Sequence, residues 1–102
     1  MPYARKIVLH CPNGYDPRLD KMVEQFIQDG VTFVGVVGED CSRIEDIVDE
    51  LVVANGLDSG LQLEDRPFIL TASHPGETVE DAIEFASSLT GEYAGDVQLV
   101  DL

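Results

Sequence analysis

The chain has 102 residues, with Asp plus Glu 20 against Lys plus Arg 6 and a formal net charge of −14. At this length one domain over residues 1–102 is expected, and folding should bury roughly two-thirds of the unfolded surface. A hydrophobic fraction of 44% excludes a disordered acidic tail, and the charge argues against nucleic acid and anionic membranes as partners.

The charge is unevenly placed. Residues 1–38 hold four acids (Asp16, Asp20, Glu24, Asp29) and four bases (Arg5, Lys6, Arg18, Lys21). Residues 39–102 hold sixteen acids and only Arg43 and Arg66. The plain reading is a solvated acidic surface. The functional reading is a surface for cations or a basic protein partner. Arg5-Lys6 precedes only Ile7 to Leu9 before His10, far short of a signal-peptide core. No run approaches the ~20 apolar residues of a membrane helix. Cys11 and Cys41 do not make a disulfide scaffold. A cytoplasmic protein with reduced thiols is expected.

The elements follow from punctuation and apolar period. Lys6 to Cys11 forms a first strand before the turn Pro12-Asn13-Gly14. Asp16 caps a helix with Pro17 at its first position, where a missing N–H costs nothing. Leu19, Met22, Val23, Phe26 and Ile27 give its apolar stripe, and Gly30 its left-handed stop. Val31 to Val37 is a second strand, apolar nearly throughout, so both its faces should be covered. Asp40 or Ser42 caps the next helix, Ser42-Arg43-Ile44-Glu45 matching a capping box. Its stripe is Ile44, Ile47, Val48, Leu51 and Val52, and Asn55-Gly56 ends it. Residues 57–66 read as a loop whose Leu57, Leu61 and Leu63 touch the core. Pro67 opens a third strand, Phe68 to Ala72, and Pro75-Gly76 turns the chain. Thr78 to Asp81 caps a third helix with Val79, Ala82, Ile83, Ala86 and Leu89 facing inward. Gly91 and Gly95 bracket the exit to a last strand, Val97 to Val100.

Strands alternating with helices imply right-handed crossovers and a parallel sheet. The expected class is a three-layer α/β fold. Its four-stranded parallel sheet has the Rossmann-like or flavodoxin-like order 2-1-3-4, with three helices. In that order the first helix covers one face and the other two cover the opposite one. The last strand is an edge, and the sheet beneath strands three and four lacks its own helix. A homodimer would bury either feature; the competing cover is the 57–66 loop or Tyr3.

Ligand crevices of open α/β sheets lie beyond the carboxyl ends of the strands. Those ends carry His10, Cys11, Asn13 and Asp16, then Glu39, Asp40 and Cys41, then Thr71, Ser73, His74 and Glu77. Cys, His and carboxylate are the ligand types of zinc, so Cys11, Cys41 and His74 are candidate metal ligands. Adjacent His10 and Cys11 point to opposite faces, so only one of them could serve. Cys11, between a strand and a helix amino terminus, is also the candidate catalytic nucleophile. For ligand binding, His74 leads, with Ser73, Thr71, Glu77 and His10. No cofactor is otherwise implied: there is no G-x-G-x-x-G and no Walker motif. Acids at the second and third helix starts repel phosphate. A non-catalytic binding or self-associating module is the leading expectation, with a metal protein and a thiol or phosphocysteine enzyme as alternatives.

Two resemblances bear on these readings. Cys11-Pro12-Asn13-Gly14 resembles the phosphate loop of cellobiose-type phosphotransferase IIB subunits, which implies a phosphocysteine. That family continues with hydroxyl residues where this chain has Tyr15-Asp16-Pro17, and the change adds a negative charge. Arg18 follows Cys11 after six residues, one more than in the C-x5-R loop of tyrosine phosphatases. Thr71 to Ala86 is similar to a segment of small α/β proteins of unknown function, which implies no activity.

Overall fold

The computed structural model describes residues 2–58 and 69–102. Its strands are β1 (Lys6–Cys11), β2 (Phe33–Gly38), β3 (Leu70–Ser73) and β4 (Val97–Asp101). Its helices are α1 (Arg18–Asp29), α2 (Cys41–Asp58) and α3 (Val79–Ser88), and a 3-10 turn at Gly91–Tyr93 leads into β4. All four strands are parallel in one sheet, so the α/β class read from the sequence stands. None of the helices is long and apolar enough to cross a membrane, among the described residues.

The strand order corrects the expectation. It is β3-β2-β1-β4 rather than 2-1-3-4, so β3 pairs with β2, from Phe33 opposite Leu70 to Val36 opposite Ser73. Burial explains the choice. Residues Phe33 to Val37 are all buried, as a strand flanked on both sides requires, whereas β3 and β4 are only partly buried and take the edges. Two successive right-handed crossovers in one direction then put α1 and α2 on the same face. The direction reverses only after β3, which sends α3 alone to the other face. The helix distribution expected from the sequence is thereby inverted.

The α1–α2 face holds the larger core. Ile7, Leu9 and Cys11 of β1 meet Val34 and Val36 of β2 beneath Leu19, Val23 and Phe26 of α1 and Ile44, Val48 and Val52 of α2. Tyr3 adds to it, edge-on to Phe26 with ring centroids 4.8 Å apart. The α3 face holds Val8, Phe33, Val37, Ala82 and Ala86, with Val79, Ile83, Leu89 and Val97 at its margin.

Local signals place the helix ends. Pro17 is already helical, and the Asp16 carboxylate accepts from the Arg18 N–H at 2.9 Å and from Arg18 Nε at 3.1 Å. These bonds hold the Asp16 carboxyl below its ordinary range. Gly30 ends α1 with φ of 80°. At α3 the expected cap is complete: Thr78 Oγ1 accepts from the Asp81 N–H, and Asp81 accepts from the Thr78 N–H. At α2 the expected box is absent. Ser42 lies inside the helix, and the Asp40 carbonyl accepts from the Ile44 N–H. Asn55 does not stop α2: its side chain folds back to the Leu51 carbonyl, and the helix runs on to Asp58. Contacts expected of Leu57, Leu61 and Leu63, and a strand opening at Pro67 and Phe68, lie outside what is described.

Two features bind the layers. Lys6, only 2% exposed, sends its ammonium into the carboxyl end of α3. There Nζ donates to the carbonyls of Ala86 at 2.6 Å and Leu89 at 3.5 Å. They belong to the last turn of α3, where the Ala86 carbonyl also accepts from the Leu89 N–H at 3.3 Å, and a cation suits the negative end of the dipole. Gly38 sits at φ +116°, where a Cβ would stand 2.5 Å from the Cys11 carbonyl oxygen. That approach lets the Glu39 N–H donate to the same oxygen at 2.8 Å.

Lys6→Ala removes the buried stem and takes the ammonium away from two helix-end carbonyls, so urea unfolding should show a loss of about 2–4 kcal/mol. Gly38→Ala should cost about 3 kcal/mol or more by the same measurement, because its Cβ meets backbone that cannot move aside.

Candidate functional site

The expected site residues divide between the two faces, because residues alternate along each strand. Thr71 and Ser73 face α2. The Thr71 hydroxyl lies 2.9 Å from Glu45 Oε2 and 2.8 Å from Asp49 Oδ1, and Ser42 Oγ donates to Ser73 Oγ at 3.3 Å. His74 and His10 lie on the α3 face. His74 packs edge-on against Phe85 of α3, with ring centroids 5.3 Å apart, and its Nε2 would stand 3.3 Å from a Cβ at Gly35. His10 Nδ1 lies 3.1 Å from Asp101 Oδ1 at the carboxyl end of β4. Of the neighbours expected for His74, only Glu77 joins it, with Oε1 3.0 Å from Nδ1.

His74 is the most constrained of these side chains. It is 4% exposed, and Nε2 has no hydrogen-bond partner. A carboxylate can only accept, so the proton of this bond sits on Nδ1. Nε2 is enclosed beside Gly35, under the ring of Phe85. Phe85 is itself 43% exposed and rests on Phe33 at 5.9 Å between centroids.

Cys11 and Cys41 are both buried in the α1–α2 core, on the opposite side of the sheet from His74. The candidate metal set therefore does not converge, and no three His, Cys, Asp or Glu among the described residues gather around one point. Burial, with Cys41 nearby, raises the Cys11 thiol from 9.0 to about 11. A nucleophilic thiol needs the opposite shift. Among the described residues, neither histidine bonds a serine, threonine or cysteine side chain, so no nucleophile is paired with an imidazole.

The carboxyl edge does open a cleft, of about 430 Å³, between the ends of β2 and β3. Gly38 to Arg43 form one wall and Pro75-Gly76 the other. Of the expected residues only Glu39, Asp40 and Cys41 line it. Sequence reasoning missed Lys6, Gly35 and Phe85. Their roles come from which helix covers which face, and no local pattern announces that.

The described elements define a parallel, three-layer α/β domain. Residues 1–101 match a family described as Domain of unknown function (DUF7684), and the chain belongs to that family. No curated protein and no solved structure matches the chain significantly.

A thiol held at about 11 is almost wholly protonated at neutral pH. Native protein at pH 7–8 should therefore react with iodoacetamide at Cys11 only as fast as it unfolds. Because the folded value lies above the unfolded one, this group stabilises the fold fully below about pH 9 and loses that contribution as pH rises toward 11. Chemical denaturation across that window should show the loss, and Cys11→Ala should flatten it.

Proposed function

We propose that this chain is a non-catalytic module that associates with a second copy of itself. The outer edge of β4 supports this reading most directly. Lys6 N–H donates to the Asp96 carbonyl and Leu102 N–H to the His10 carbonyl, so the even-numbered residues of β4 turn their backbone groups toward β1. In a parallel ladder the N–H and C=O of Val97, Leu99 and Asp101 then point away from the sheet. Natural edges are guarded by Lys, Pro or a bulge. This one has Gln98-Leu99-Val100 at its centre, without charge. Leu99 is also 46% exposed, on the face that a single helix covers.

The site chemistry agrees with a binding role. The best-placed nucleophile is buried with a raised pKa, and the cleft presents Glu39 and Asp40 beside Arg43. Sedimentation equilibrium at micromolar protein should give twice the chain mass. Each copy carries −14, so added salt should tighten the pair by screening that repulsion, the reverse of a complex with a basic partner. A monomer at every salt concentration would overturn the reading.

A further inference from the structure

We infer that the two copies join by antiparallel pairing of β4 with β4 about a two-fold axis at Leu99, with Arg5 of each copy meeting Asp101 of the other. This rests on the self-association reading and names its geometry. A two-fold pair needs a strand that complements itself. The outward groups of β4 belong to Val97, Leu99 and Asp101, which are symmetric about Leu99 and span the whole strand. Centred there, Leu99 stands opposite Leu99, Gln98 opposite Val100, and Val97 opposite Asp101. Every outward N–H and C=O of the strand then finds its counterpart, because residues of the same parity face each other. A one-residue slip would set outward groups against inward ones and lose the ladder. The product is a continuous eight-stranded sheet.

Charge placement favours the same register. Arg5 is exposed and makes no ion pair among the described residues, in a chain with few bases. Its side chain runs along Gly95, at the amino end of β4. Its Cδ would lie 3.1 Å from a Cβ there, so glycine makes the room it occupies. Asp101 of the second copy would stand opposite Val97, two residues from Gly95 and within reach of that guanidinium. Asp101 is largely exposed, and its one contact, from His10 Nδ1 to Oδ1 at 3.1 Å, leaves the second carboxylate oxygen free. The two ion pairs so formed flank an uncharged centre.

Cross-linking tests the axis. Leu99→Cys should form a disulfide-linked dimer in a glutathione redox buffer, since directly opposed residues bring Cα atoms to about 5.5 Å. Val53→Cys, exposed on α2, is the control and should link at least about 10-fold more slowly. Equal rates in a protein that still sediments as a dimer would overturn this geometry and leave self-association standing. A charge swap supplies the second readout. Arg5→Asp and Asp101→Arg should each weaken the dimer by about 10-fold, and the double variant should restore it. If net charge alone governed assembly, Asp101→Arg would tighten the dimer, and that result would also overturn the proposal. Arg5, Val53 and Leu99 are exposed, and circular dichroism of each variant should match the parent.

Discussion

A lysine ammonium buried at the carboxyl end of α3 is the contact on which the arrangement of the second face turns. Among the described helices α3 alone covers that face, and Lys6 comes from β1, one of the two interior strands. The bond to the Ala86 carbonyl therefore ties a helix terminus to the middle of the sheet across eighty residues of chain. A buried ammonium is costly unless its donors are met. Here two carbonyls at a helix end meet them, and the ammonium and the helix end answer each other's desolvation. With this end held, Ala82 and Ala86 lie against Val8, Phe33 and Val37, small residues letting the helix approach closely. The opposite flank of α3 carries Phe85, which covers Phe33 and closes over His74.

The asymmetry between the faces follows from the point at which the chain changes direction. Two crossovers before the reversal place two helices and most of the large aliphatic residues on one side. The other side is thinner and leaves apolar atoms of Phe85 and Leu99 in water. The same topology separates the chemistry. The thiols lie under two helices, the imidazoles lie on the face with one, and the sheet stands between them. The acidic ends of the helices answer to their dipoles, as Thr78, Glu80 and Asp81 show at α3.

Much of this was readable in the residues themselves, where the cause was local. The bounds of β1, the Gly30 stop, the Thr78 cap and the inward stripe of α3 each depend on neighbours within a few positions. Strand order depends on comparing segments far apart. The comparison was available, since Val31 to Val37 carries Thr32 as its one polar side chain while the shorter β3 carries Thr71 and Ser73. Those two patterns mark an interior strand and an edge. Placing the reversal after the second strand instead grouped the second helix with the third rather than with the first. The parity of His10 against Cys11 was legible and correct, because alternation along a strand needs no tertiary knowledge. The burial of Lys6 was not legible, because its partners belong to a helix end supplied much later in the chain.

Gly38 has a consequence for the cleft at the carboxyl edge. The wall formed by Gly38 to Arg43 is joined to β1 through an approach too close for any side chain. That wall is effectively fixed for as long as the fold exists. The facing wall, Pro75-Gly76, is a surface turn with open space around it. Substitution in that turn can therefore reshape the cleft without disturbing the contact between Gly38 and β1. Its width can be set from the side of the turn after β3, against a backbone that Gly38 holds to β1.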